Sequence, residues 1–282
     1  MVSALIYFLI IIFKFKTKII PPPLRVKTDK EYAEDLKIVK EHLGEEASKN
    51  LQSIKENPSL KQYLFITAHP DDEIMFFAPT MIGLRKQGFK VKILCLSTGN
   101  YDKKGEIREI EIKNCVKLLG IEEENVTVLD HPGLQDNPNQ FWYPTAVSKV
   151  ISEHINPDIT AIITFDRMGI SGHVNHRSVF EGVKYFINQN GSKAMPAVFT
   201  LKTVSLLRKY SSFFDTIFSL NAFLIPHAYS VGDRALFVSG FDEVYLAQKA
   251  MRQHKSQMVW FRWLYIFFSR YMYINELTRI NT

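Results

Sequence analysis

Between residues 60 and 166 the spacing of apolar positions switches repeatedly between two periods. Residues 62–68, QYLFITA, are a short apolar run of the kind a fully buried strand carries. DDEIMFFAPTMIGLRKQG, 71–88, comes next with helical spacing and a glycine stop, and FKVKILCLS, 89–97, returns to a strand pattern. The alternation continues with a helix in GEIREIEIKNCVKLLG, a strand in NVTVLD, a helix in YPTAVSKVISEHIN and a fourth strand in DITAIITF, just before Asp166. Strands separated by helices of this length predict an α/β fold, with a mostly parallel sheet covered by helices on both faces.

Ligand crevices in such sheets open at the carboxyl ends of the strands. Two clusters fall there. AHPDDE sets His69, Asp71, Asp72 and Glu73 after the first strand, and DRMGISGHVNH, 166–176, sets His173 and His176 after the fourth. Two constellations a hundred residues apart are thus expected on one rim. Asp71 and Asp72 are neighbours pointing in different directions, so Asp72 could join His69 on an ion while Asp71 faces a substrate. His173 and His176, three apart at a helix start, share a face. A His, Asp, His ligand set leaves a coordination position for water, as catalytic zinc sites require. Taken singly, each cluster has a plainer explanation. Pro-Asp-Asp-Glu is an ordinary helix opening, with acids at the positive end of the dipole, and HxxH is usually a solvated face. Caps, however, do not require a second histidine pair on the same rim.

The ends of the chain carry another pattern. MVSALIYFLIIIF, 1–13, is uncharged and apolar and is followed by Lys14, Lys16 and Lys18 and then by three prolines. It lacks the positive leader and small-residue cleavage site of a signal peptide. Extended to residue 20, with lysine stems snorkelling, it reaches roughly the 20 residues a span needs. Residues 1–20 are therefore expected to be a membrane anchor, with the lysines holding the downstream chain on the cytoplasmic side; an interfacial anchor that does not span is the alternative. Residues 21–60 are expected to be a polar, helical connector and 61–282 the main domain. Within that domain the aromatic-basic segment 255–274 is expected to be a packed C-terminal helix or a second membrane contact. The formal charge of +6 suits an anionic lipid, a phosphorylated substrate or nucleic acid, and does not choose among them. The only cysteines, Cys95 and Cys115, lie in apolar and helical patterns and read as buried thiols, which agrees with a reducing compartment. Asn125 in NVT and Asn190 in NGS have the form of glycosylation acceptors, available only in a secretory lumen.

AHPDDE with SGHVNH at a distance resembles the LmbE-like, PIG-L deacetylase family. The segments DDEIMFFAPT, STGNYDKKGEIREIE, ITFDRMGISGHVNH, LLRKY and HKSQMVWFRWLYIFFSRYM resemble its eukaryotic membrane-bound branch, over about residues 64–277. The resemblance implies a Rossmann-like fold, a divalent metal ion, most commonly zinc, and hydrolysis of the N-acetyl group of a glucosamine linked to inositol. Its expected partners are a glycolipid of GPI-anchor biosynthesis and the endoplasmic-reticulum membrane, with the catalytic domain facing the cytoplasm and no nucleic acid. Residue by residue it makes His69, Asp72 and His176 the metal ligands, Asp71 the general base, and His173, best in its protonated form, the group facing the oxyanion. This chain has Asn175 where bacterial members often have Asp, so a carboxylate to orient His173 is missing there, and Asp166 is the candidate substitute.

Candidate substrate contacts are suggested by position. Asn100 and Arg108 come after the second strand. Arg108 suits the inositol phosphate or hydroxyls, or else pairs with Glu109 or Glu111 along its own helix. His131 and Asp136 come after the third strand, and His254 precedes the aromatic segment. Two other functions remain compatible: a silent membrane-tethered lipid-binding scaffold of the same fold, and a deacetylase of another amino-sugar conjugate. A scaffold has no need of all five of His69, Asp71, Asp72, His173 and His176. A soluble substrate has no need of the anchor.

Overall fold

The computed structural model describes residues 60–191, 195–216, 218–219 and 233–280, with isolated positions at 33, 37, 45 and 57. The expected anchor, 1–20, and nearly all of the connector lie outside the described residues. Among the described residues no helix is long and apolar enough to cross a membrane.

The expected alternation is present. Strand β1 (Gln62–Thr67) leads into helix α1 (Asp72–Lys86), β2 (Lys90–Cys95), α2 (Gly105–Leu118) and β3 (Val126–Val128). Next come α3 (Pro144–His154), β4 (Ile159–Phe165), α4 (Val174–Asn190) and β5 (Ala197–Leu201). The chain closes with β6 (Arg234–Val238), α5 (Phe241–Met251), α6 (Trp260–Phe268) and β7 (Ile274–Arg279). The sheet order is β3-β2-β1-β4-β5-β7-β6. β1 to β5 run parallel, while β7 pairs antiparallel with both β5 and β6, so the sheet is mostly parallel but mixed at one edge.

This order sets the position of the crevice. The chain steps outward from β1 to β3 and then crosses back to β4 on the other side of β1. Because crossovers are right-handed, the reversal puts α1 and α2 on one face and α3 and α4 on the other. The loops after β1 and β4 diverge at that reversal and leave a cleft between them. α3 and α4 approach so closely that a Cβ on Gly182 would stand 2.2 Å from Val147.

α1 is tied to the C-terminal elements by an internal proline. Pro79 has no N–H to give to the carbonyl of Met75, and the Tyr265 hydroxyl donates to that oxygen instead at 2.8 Å. One residue on, the buried Asn275 side chain accepts from Thr80 N and donates to Phe76 O. Sequence periodicity carries no sign of these contacts from α6 and β7. Cys95 and Cys115 are free and buried, as expected.

Candidate functional site

The first strand ends in a compact set of hydrogen bonds. Asp72 Oδ2 accepts from the backbone amides of Ala68 and His69 at 3.0 and 2.8 Å, turning back from the helix rather than capping it. Its other oxygen lies 3.1 Å from His176 Nε2, so the two rims expected to meet do meet. Asp71 adopts φ 128°, a left-handed conformation costly for a side-chain-bearing residue. Glu73 Oε2 holds it there by accepting from the Asp71 amide at 2.9 Å.

Hydrogen bonds fix the orientation of the two histidine rings. His176 Nδ1 faces the Gly169 carbonyl at 3.1 Å and must donate to it, which leaves Nε2 toward Asp72. His69 Nε2 faces the oxygens of Asn175 and Asp136, each at 3.1 Å, which leaves Nδ1 toward Asp72 Oδ2 at 3.6 Å. Burial works against the charged form of His69, but Asp136 and Asp72 outweigh it and raise its pKa to about 10. Asp72 titrates well below the usual range: burial opposes this, and His176 and His69 overcome it.

These donors fit a divalent metal. Two ligands at about 2.0–2.1 Å from zinc stand roughly 3 Å apart, which is the spacing of Asp72 and His176. Each histidine also gives its far N–H to a carboxylate or a carbonyl, the usual support of a metal-ligating imidazole. His69 Nδ1, Asp72 and His176 Nε2 are the atoms that would hold it, and His173 is close enough to contribute a fourth nitrogen. A second group, Glu73, Cys115 and His254, does not fit. His254 Nε2 donates to Glu73 Oε1 at 2.7 Å, a hydrogen-bond separation too short for an intervening ion.

His173 departs from expectation. Burial, then the charges of His176 and His69, depress its pKa to about 4 against the pull of Asp72 and Asp136, so it is neutral rather than protonated. Its Nδ1 accepts from the Asn175 amide at 3.3 Å, which leaves the proton on Nε2. Asp166 does not orient it. That carboxylate is taken by Thr203 N and Oγ1 at 2.6 Å and by the amides of Met168 and Gly169. Asn175, lacking a charge, braces His69 and donates to Gln140 O.

Arg108 enters the crevice and leaves its own helix unpaired. Its Nη1 donates to Gly99 O at 2.9 Å and its Nη2 to Pro70 O at 2.7 Å, while Asp71 and Asp136 lie 3.5 and 3.7 Å away. Glycine is needed at 99, where φ is +67° and a Cβ would meet the guanidinium at 2.4 Å. Glu111 is occupied elsewhere, accepting from Ser256 N and Oγ.

Three of the expected substrate contacts, Asn100, His131 and His254, are corrected. Asn100 Oδ1 accepts from Gly105 N, outside the central cavity, and closes its own loop. His131 Nδ1 accepts from Gly133 N in a turn. Asp136 lines the cavity, as expected of a substrate contact, and also braces His69. His254 is fully buried and holds Glu73. Two cations that the sequence did not single out enter the cavity instead. Arg262 Nη2 donates to Asp71 Oδ2 at 3.2 Å, and Lys209 lines the wall. The cavity, about 600 Å³, has the histidine and aspartate cluster at its base and Tyr210, Phe261, Leu264 and Phe268 among its walls.

An open, mostly parallel sheet with a His/Asp cluster at its reversal point, a base candidate beside it and a cavity of about 600 Å³ above defines a hydrolase-type α/β protein with a candidate metal centre. The profile of the GlcNAc-PI de-N-acetylase (PIG-L) family matches residues 64–187. N-acetylglucosaminyl-phosphatidylinositol de-N-acetylase of Bos taurus is 40% identical over 215 residues, covering 76% of this chain and 81% of that protein. The probable enzyme of the same name from Schizosaccharomyces pombe is 40% identical over 230 residues, covering 80% and 89%. N,N'-diacetylchitobiose deacetylase from Pyrococcus horikoshii shares the fold, with a TM-score of 0.53 at 16% identity over 90% of this chain and 94% of its own. The chain belongs to the PIG-L family.

Proposed function

We propose that the protein hydrolyses the N-acetyl group of N-acetylglucosaminyl-phosphatidylinositol, giving glucosaminyl-phosphatidylinositol and acetate in GPI-anchor biosynthesis. The observation that carries this reading is the convergence of His69, Asp71, Asp72, His173 and His176 on one cavity, in a chain 40% identical to enzymes of that name. A zinc ion held by His69, Asp72 and His176 would polarise the acetyl carbonyl and supply hydroxide near neutral pH, since bound water can reach a pKa of about 7. Asp71 takes the proton of the attacking water and delivers it to the departing amine. Arg262 and Arg108 fix the two oxygens of Asp71 in place. Neutral His173 donates Nε2–H to the oxyanion, its tautomer set by the Asn175 amide. Acetate release from the synthetic glycolipid by purified protein, abolished by chelation and restored by added metal, tests the reading. Chelation without effect would remove the metal from it.

The phosphodiester is placed by charge. Lys209 has its pKa lowered, first by burial and then by Arg262, and among the described residues it pairs with no carboxylate. An anion between the two cations would relieve their repulsion. Lys209→Met should raise KM for the natural headgroup about tenfold or more, the worth of one charge-assisted hydrogen bond. KM for N-acetylglucosaminyl-inositol lacking the phosphate should be unchanged. An equal rise for both would place the phosphate elsewhere.

The catalytic domain is read as sitting on the cytoplasmic face of the endoplasmic reticulum, from Lys14, Lys16 and Lys18. Asn125 is a poor reporter of this, being buried and donating to Glu122 Oε2. Asn190 is half-buried and remains usable. Endoglycosidase should leave the mobility of the membrane-bound protein unchanged. A shift that Asn190→Gln removes would place the domain in the lumen.

A further inference from the structure

α6 is apolar on nearly every side, and only part of it is buried. Its inner face is pinned: Tyr265 and Ile266 are buried, the Tyr265 hydroxyl is bonded to α1, and the Ile266 carbonyl accepts from Gln248 of α5. Trp260, Trp263, Leu264 and Phe267, spaced i, i+3, i+4, i+7, are exposed, Trp260 to 74%. Beside it, residues 206–216 and 218 expose Leu206, Leu207, Phe214 and Phe218, with Leu207 at 87%. The Ser212 hydroxyl joins the two segments by donating to Phe267 O at 3.1 Å. Asp215 fixes the second segment, pairing with Arg208 at 2.6 Å and with Arg270 at 2.8 Å. A soluble surface rarely leaves so many large apolar side chains together.

We propose that α6 and residues 206–216 with Phe218 form one surface that inserts into the interfacial layer of a lipid bilayer, so that the catalytic cavity opens directly onto the membrane. This rests on the glycolipid reading above. The occupant is argued from continuity with the site. The same two segments line the cavity, Lys209 and Tyr210 from one and Phe261, Leu264 and Phe268 from the other, and Tyr210, Phe261, Leu264 and Phe268 are exposed as well, so they stand at its opening. A cavity of about 600 Å³ is of the size that encloses a drug-sized ligand, here a headgroup, and leaves two acyl chains outside. Those chains remain in the bilayer only if the mouth meets it. Tryptophan, tyrosine and arginine around an apolar face are also the composition of an interfacial helix.

The chain carries its own reporter. Of its three tryptophans, Trp142 is fully buried and the other two lie on α6. Phosphatidylcholine–phosphatidylinositol vesicles with brominated acyl chains should quench the emission of the full-length protein. They should leave Trp260→Ser/Trp263→Ser unquenched, since only Trp142 remains. This reads α6 itself, whatever residues 1–20 contribute to membrane attachment. In parallel, Trp260→Ser/Trp263→Ser/Phe267→Ser should lose about tenfold or more of its rate on substrate embedded in vesicles, since one large apolar side chain withdrawn from an apolar layer is worth that much. The same variant should keep the wild-type rate on the deacylated, water-soluble substrate, which also certifies its fold. Wild-type emission unaffected by brominated lipid, or an equal fall on both substrates, would overturn the docking surface and point to a protein partner covering α6. A wild type that cleaves neither substrate would count against the deacetylase reading, while the quenching still decides the docking.

Discussion

Asp71→Asn should retain its metal and lose about a hundredfold to ten-thousandfold in turnover, the usual worth of a positioned general base. Asp72→Ala and His176→Ala should lose metal and activity together. The division comes from which way the neighbouring carboxylates point. Asp72 faces His176 Nε2 and the amides of the first rim, whereas Asp71 faces two guanidinium groups and the cavity. Asparagine at 71 keeps an oxygen for Arg262 and removes the proton acceptor. Metal analysis of the purified variants, beside acetate release, checks this. Metal lost from Asp71→Asn as fully as from Asp72→Ala would reverse the roles of the pair. Loading metal must also displace the His69 proton, because its pKa is raised to about 10 in the metal-free site. Apparent affinity should therefore climb with pH across the neutral range.

The half of the molecule that was legible in the sequence is the half whose signal is local. β1 to β4 and their helices announce themselves by period, and the rule that ligands gather at carboxyl ends was enough to bring His69 and Asp72 to one rim with His173 and His176, while the choice of His176 as the ligand came from the family resemblance. The rest depends on contacts across long stretches of chain. β7 carries the buried polar residues Asn275 and Glu276, which satisfy α1, Lys202 and Arg234, so its pattern does not read as strand. Position alone put Asn100, His131 and His254 near the rim but could not say what their side chains bond: Asn100 and His131 hold the backbone of their own loops, and His254 holds Glu73. The neutral state of His173 needed the spacing of three histidines in space. Arg262 and Lys209 were hidden because their role depends on how α6 and residues 206–209 fold over the cavity.

The largest structural effect is expected at Glu73 and His254, both fully buried. Their 2.7 Å bond joins the start of α1 to the segment after α5, and the other oxygen of Glu73 holds Asp71 at its strained φ. His254→Ala removes one partner from a buried pair, a change that costs about 3–5 kcal/mol and leaves a carboxylate uncompensated. Turnover should fall with it as Asp71 relaxes, while metal is retained, because Asp72 and His176 do not depend on this bond. Glu73→Gln should be milder than Glu73→Ala: the amide oxygen still accepts from Asp71 N, and the NH2 can donate to a neutral His254. Burial opposes the charged form of His254, yet Glu73 raises its pKa on folding. Its contribution to stability is therefore complete below the unfolded value of about 6.5 and is lost as pH rises through the raised folded value. Denaturant titrations at several pH values give the order. A His254→Ala variant as stable as wild type, or Gln and Ala at 73 equally damaging, would show that the pair neither braces the fold nor positions the base.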